Sequence, residues 1–185
     1  MLASDEKLNV IVAQEHGSFF GQLDKIPVKD LDDMASELML AYSSDSNPPL
    51  LYADAKSHLG HYGVVHWDED DKFYRIRVIE EFVNDAQVLF VDFGYCVKIP
   101  RCKIFAPLES LTCFRKSPFG IRCKIDDVTL PLADWSKLVF EKKIIVKIGK
   151  CSNEVYSVTL TGDLRNKEIA NAISSMTSPK CARGE

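Results

Sequence analysis

Phe90-Val91-Asp92-Phe93-Gly94 closes an alternating run with a glycine turn, and its reading decides the fold of this chain. Residues 87–91 have the period of a strand, and the turn that follows presents aromatic rings instead of covering them. Upstream, Trp67 and Tyr74 flank the acidic stretch Asp68-Glu69-Asp70-Asp71. Phe90 and Phe93 are three apart, so an extended strand would point them to opposite sides. Gly94, free to take a positive φ, lets the turn swing Phe93 back. Rings grouped at one end of a small barrel make an open box whose π faces suit a large, weakly hydrated, partly methylated cation.

Outward from this stretch, short strands follow one another on close spacing. Residues 62–67 read as one strand. Residues 73–80 read as the next, with Tyr74, Ile76 and Val78 on one face and Arg75 and Arg77 on the other. Residues 95–99 form another, closed by Pro100, and the turns at 68–71 and Asn84-Asp85 join the set. The pattern predicts a small, strongly bent antiparallel barrel. Arg75 and Asp92 are expected to pair across neighbouring strands, with Asp92 alternatively steering a cationic ligand. Before the barrel, residues 8–13 and 18–23 flank His16-Gly17 as a hairpin. Leu31, Met34, Leu38 and Tyr42 then recur at helical spacing, predicting a helix over about 28–41 that follows Pro27 and stops at the breaker cluster 43–49. After the barrel, a strand is predicted at 119–125 and a helix at 133–141 with Trp135, Leu138 and Val139 inward. A hairpin of 143–149 with 154–160 follows, then a last helix from Asp163 to Ile173 and a disordered tail from 178.

At 185 residues and 46 % hydrophobic, the chain can bury a core as one compact unit or as two packed lobes. Its net charge of −4 disfavours a phosphate backbone as partner and favours an Arg- or Lys-rich peptide. The six cysteines are scattered with no C-x-x-C pair, and the four histidines show no ligand spacing, so neither a metal nor another cofactor is expected. Reduced thiols fit a cytoplasmic or nuclear setting. No signal-like segment opens the chain and no apolar run approaches membrane-spanning length, so no membrane partner is expected. Catalysis is not expected either. Asp126-Asp127 is the carboxylate pair nearest to a phosphodiesterase pattern, and no arginine–glutamate motif accompanies it. No phosphate loop, nucleophile elbow or zinc-binding H-E-x-x-H is present. Lys137, Lys142, Lys143, Lys147 and Lys150 cluster late in the chain and offer a route to single-stranded RNA, although Glu141 and Glu154 interrupt them.

With Trp67 to Val78 and Val88 to Gly94 in view, the chain resembles an extended Tudor domain, whose core runs as an aromatic, an acidic loop, W-Y-R-A-x-V and V-x-F-x-D-Y-G-N. The likeness extends to Ser18-Phe19-Phe20-Gly21-Gln22-Leu23, to 118–128, to Trp135 and to 143–160. It implies a mainly β, α+β fold, in which a small Tudor β-barrel is inserted in a staphylococcal-nuclease-like barrel of oligonucleotide-binding type, with a linking helix. The implied division is 1–54 for the N-terminal strands and linking helix, 55–110 for the Tudor barrel, 111–177 for the rest of the outer barrel and 178–185 for the tail.

Function implied by the resemblance is non-catalytic: binding of Arg-rich peptides bearing symmetrically dimethylated arginine, from tails of Piwi-family proteins. The setting it implies is a scaffold in germline small-RNA pathways, in cytoplasmic, perinuclear ribonucleoprotein granules. The matching cage residues are Trp67, Tyr74, Phe90 and Phe93, with Tyr95 where family binders place an Asn that orients the guanidinium. Asp68, Asp70 and Asp92 are the candidate steering charges. Tyr95 leaves open a degenerate cage whose domain binds an unmethylated partner by another surface, and the late lysines leave open binding of single-stranded RNA.

Overall fold

The computed structural model describes residues 5–14, 17–43, 48–54, 56–125, 132–140 and 143–161, together with Ile169 and Asn171. The proposed last helix apart from Ile169 and Asn171, the tail, Asp126-Asp127, His16, Glu141 and Lys142 all lie outside the described residues. The chain forms two compact units, one from residues 1–25 with 120–185 and one from residues 26–119. The second therefore interrupts the chain of the first.

In the first unit, strands β1 (Asp5–Ala13), β2 (Ser18–Leu23), β8 (Gly120–Ile125), β10 (Val155–Leu160) and β9 (Lys143–Ser152) close into a barrel in that order. The segments before and after the insertion thus complete one barrel, as the resemblance implied. β1 reaches back to Asp5 because it pairs along β9, with Leu8 opposite Ile144. β9 and β10 turn at Asn153 and Glu154, both at positive φ, the backbone of a two-residue turn that matches strand twist. The barrel is filled by Leu8, Phe19, Cys123, Ile144, Val146 and Val158. Helix α2 (Leu132–Val139) buries Trp135 and Val139, four apart on one face. The Trp135 indole donates to the Ser18 carbonyl at 2.7 Å, so the buried ring keeps no unmet donor. Gly120 has no alternative, since a Cβ there would sit 1.9 Å from the Phe20 ring.

In the second unit, helix α1 (Val28–Tyr42) precedes β3 (Tyr62–Trp67), β4 (Lys72–Glu81), β5 (Asp85–Phe90), β6 (Cys96–Pro100) and β7 (Ile104–Phe105). The strands form an antiparallel sheet of order β6-β5-β4-β3-β7. β6 and β7 stand at opposite ends of that order, yet only the 3-10 turn Arg101–Lys103 separates them in sequence. A flat sheet would put its outer strands roughly 19 Å apart, whereas Pro100 to Ile104 can span at most about 14 Å. The sheet must curl until its edges approach, which is the bent barrel expected. β7 escapes sequence recognition because two residues carry no periodicity.

Both faces of this sheet are covered. Val64 and Val65 are consecutive in β3 and both fully buried. Val65 joins Ile76, Val78, Val88 and Ile104 inside the curl, while Val64 joins Phe73 against Met34, Leu38 and Tyr42 of α1. That second layer also takes in Cys113 and Phe119 of the following segment. Glu37 of α1 accepts from Cys113 N–H (3.1 Å) and the Thr112 hydroxyl (2.9 Å), fastening the 3-10 turn Thr112–Arg115 to the helix.

Arg75 of β4 points into this layer and is 3 % exposed. Its Nε and Nη2 donate to the two carboxylate oxygens of Asp92, at 3.0 and 2.5 Å. Nη1 donates to the carbonyls of Cys113 and, at 3.0 Å, Lys116. Asp92, 1 % exposed, also accepts the Phe119 N–H at 2.9 Å. A buried ion pair with its remaining donors and acceptors satisfied is expensive to halve, because the survivor stays charged in a poor solvent. Asp92→Ala is expected to cost roughly 3–5 kcal/mol of unfolding free energy in urea. Lys25→Ala, which breaks the exposed pair with Glu6, is expected to cost under about 1 kcal/mol. Equal losses for the two would contradict this placement.

Candidate functional site

The inner face of the curled sheet ends in rings. Antiparallel register sets Val65 opposite Tyr74 and Ile76 opposite Phe90, and Trp67 follows Val65 by two, so Trp67, Tyr74 and Phe90 share one face. The Phe93 and Gly94 N–H groups both donate to the Phe90 carbonyl, at 3.1 and 2.7 Å, and Gly94 takes φ +81°. This tight turn returns Phe93 to the same mouth. Trp67 meets Phe90 at 5.6 Å and 88°, Tyr74 meets Phe90 at 5.5 Å and 57°, and Tyr74 meets Phe93 at 5.5 Å and 80°. Steeply inclined neighbours of this kind form walls instead of a stack.

The walls enclose a largely apolar pocket of about 390 Å³, open to solvent, lined by Trp67, Glu69, Asp70, Tyr74, Phe90, Phe93, Tyr95 and Val97. The structure therefore brings together every ring singled out in the sequence, with Tyr95 half exposed at the rim. Tyr95 O accepts from Phe90 N–H at 2.9 Å, which places the Tyr95 side chain beside the mouth.

Of the steering carboxylates, Asp70 lines the pocket and accepts the Tyr74 hydroxyl proton. Burial, and then Asp70, push the Tyr74 phenol up to about 12. Asp68 does not line it. Its carboxylate is held by Lys103 at 3.0 Å and by the His66 ring at 3.1 Å, and these bonds lower its pKa. The other His66 nitrogen contacts Asp71 at 2.8 Å, so one imidazole ties both ends of the acidic turn. Asp92 lies away from the pocket, buried against Arg75, where its charge is matched. Glu69 and Val97 line the pocket without having been singled out. The acidic stretch pointed to Glu69; Val97 gave no signal, since it reaches the site through the curl of β6.

Among the described late lysines, Lys143 pairs with Asp24 at 2.8 Å and Lys137 approaches Asp134 at 3.9 Å. No group of three or more metal-ligating side chains is found among the described residues.

A family model described as Tudor domain matches residues 2–127. No curated protein matches the sequence significantly. Among solved structures, the extended Tudor domain TD3 of mouse TDRD1, in complex with a MILI peptide containing dimethylarginine, aligns with a TM-score of 0.75 and 20 % identity over 95 % of this chain and 92 % of that one. The extended Tudor domain of Drosophila melanogaster Tudor-SN gives 0.71 and 19 %, covering 94 % of each chain. The extended Tudor domain from BmPAPI in complex with sDMA gives 0.69 and 17 %, over 87 % of this chain and 90 % of that one. At these identities the common property is the fold.

The Tyr74–Asp70 bond has a consequence in alkali. A phenol raised from 10.0 to about 12 in the folded state stabilises the fold below pH 10, and that contribution is lost as pH rises towards 12. Ultraviolet titration of Tyr74→Phe should lack one tyrosinate transition near pH 12 relative to the parent chain. Loss of a transition near pH 10 instead would contradict the assigned environment.

Proposed function

The chain belongs to the Tudor domain family and has its extended fold, and from that premise we propose that it is a non-catalytic protein-interaction module for Arg-rich peptides bearing symmetrically dimethylated arginine. The observation that carries this reading is the solvent-open box of inclined rings with an acidic rim. A methylated guanidinium is a delocalised cation with weak hydration and an apolar fringe. It loses little on leaving water and gains from each ring face it meets. Trp67 offers the strongest face, and Tyr74, Phe90 and Phe93 supply the other walls.

Each ring contributes on the order of 0.5–2 kcal/mol to a held cation. A micromolar complex requires about 8 kcal/mol, so peptide backbone contacts supply the remainder. The partner class we propose is the Arg-rich tail of a Piwi-family protein, with a scaffolding role in germline small-RNA granules of the cytoplasm. Support comes from the MILI peptide held by the mouse TDRD1 domain and the sDMA held by the BmPAPI domain. An overall charge of −4 also suits a cationic partner.

The test is calorimetric titration with one Arg-Gly-rich peptide, unmodified and symmetrically dimethylated. The modified peptide should bind more tightly, and Phe93→Ala, which opens one wall, should weaken it at least about fivefold. Tyr95→Asn should tighten it about tenfold, through an amide that reaches the guanidinium. Equal affinity for both peptides would contradict the cage, and binding of single-stranded RNA with a steep salt slope would replace it with the lysine surface.

A further inference from the structure

Every lining residue of the pocket is aromatic, aliphatic or acidic, and none carries an amide. Aromatic faces attract a cation, but they leave its N–H donors without acceptors, and donors shielded from water need them. Among the acidic residues of the turn, Asp68 is engaged by Lys103 and His66 and Asp71 by His66, which leaves Glu69 and Asp70 as the two that line the pocket. Asp70 alone is tied to a wall of the box, by the Tyr74 hydroxyl on its Oδ2. That bond fixes the carboxylate at the mouth with Oδ1 available to an incoming group.

We propose that Asp70, positioned by Tyr74, is the specificity-determining acceptor of this pocket. It takes an N–H of the bound cation and so selects a methylated guanidinium over a fully methylated ammonium. The inference rests on the cage reading above. A symmetrically dimethylated guanidinium keeps one N–H on every nitrogen, whereas trimethyl-lysine has none and fills the same box by its π contacts alone. Charge on the turn does not distinguish the two cations, because both are monovalent. Only an acceptor at hydrogen-bond reach does so, and a carboxylate at a solvent-open rim gains strength once peptide covers it.

The experiment compares one Arg-Gly peptide carrying either symmetric dimethylarginine or trimethyl-lysine at its centre. Both are titrated into the parent chain, Asp70→Ala, Tyr74→Phe and Asp68→Asn, after thermal melts show that each is folded. The parent chain should favour dimethylarginine. Asp70→Ala should weaken dimethylarginine about three- to tenfold more than trimethyl-lysine, narrowing the ratio. Tyr74→Phe keeps the ring but releases Asp70, and should narrow the ratio in the same direction. Asp68→Asn removes one charge from the same turn without touching the pocket and should leave the ratio unchanged. If Asp70→Ala leaves the ratio intact while dimethylarginine still binds, or if Asp68→Asn narrows it equally, the acceptor role falls and the cage stands. If the parent chain binds neither peptide, the cage reading falls as well.

Discussion

The buried pair between Arg75 and Asp92 organises the unit that carries the site. Asp92 stands between Phe90 and Phe93, so fixing its carboxylate fixes the turn on which those two rings depend. Arg75 uses its remaining donors on the carbonyls of Cys113 and Lys116, and Asp92 accepts from Phe119. One ion pair thus joins the middle of β4, the cage turn and the segment that leaves the sheet. Such a pair adds little net stability over a well-packed apolar substitute. Its effect is on geometry: it fixes the strand-end turn that returns Phe93 to the mouth of the pocket.

Two layers of packing support that arrangement. Inside the curl, Ile76, Val88 and Ile99 fill the sheet beneath Phe90. Outside it, α1 seals the face that carries Arg75, and Glu37 clamps the 3-10 turn whose carbonyl meets the guanidinium. Tyr42 adds a second clamp, donating to the Ala106 carbonyl at 2.8 Å and accepting from Leu108 N–H at 3.0 Å. The helix therefore anchors the segment that returns over the pair.

Alternation and turn chemistry make most of the framework legible in the sequence. The strand at 62–67 and the helix from Val28 need only local periodicity, and both lie where the pattern puts them. The box rings were legible because Gly94 solves the problem of residues three apart. Other features arise from distant pairing, which a sequence read locally does not show. Arg75 alternates away from the core of its sheet and makes the expected pair with Asp92; what local reading does not show is that residues 112–119 return over it and bury it. The parallel ladder of β8 and β10 joins segments some thirty residues apart, with Val155 opposite Arg122. Asp68 and Asp70 look equivalent in sequence, and differ because Lys103 and His66 take one while Tyr74 takes the other.

The proposed occupant of the box is a methylated guanidinium held between its rings. The chain has two indoles, Trp67 in the box and Trp135 in the barrel core of the other unit. Nitrogen-15 spectra would follow both indole resonances while a symmetrically dimethylated Arg-Gly peptide is added, alongside the proton shift of its N-methyl groups. A guanidinium seated between the rings should give a saturable shift of the Trp67 indole, an unmoved Trp135 indole and a ring-current displacement of the N-methyl signal to high field. An N-methyl signal at its free position when the peptide is fully bound would contradict it.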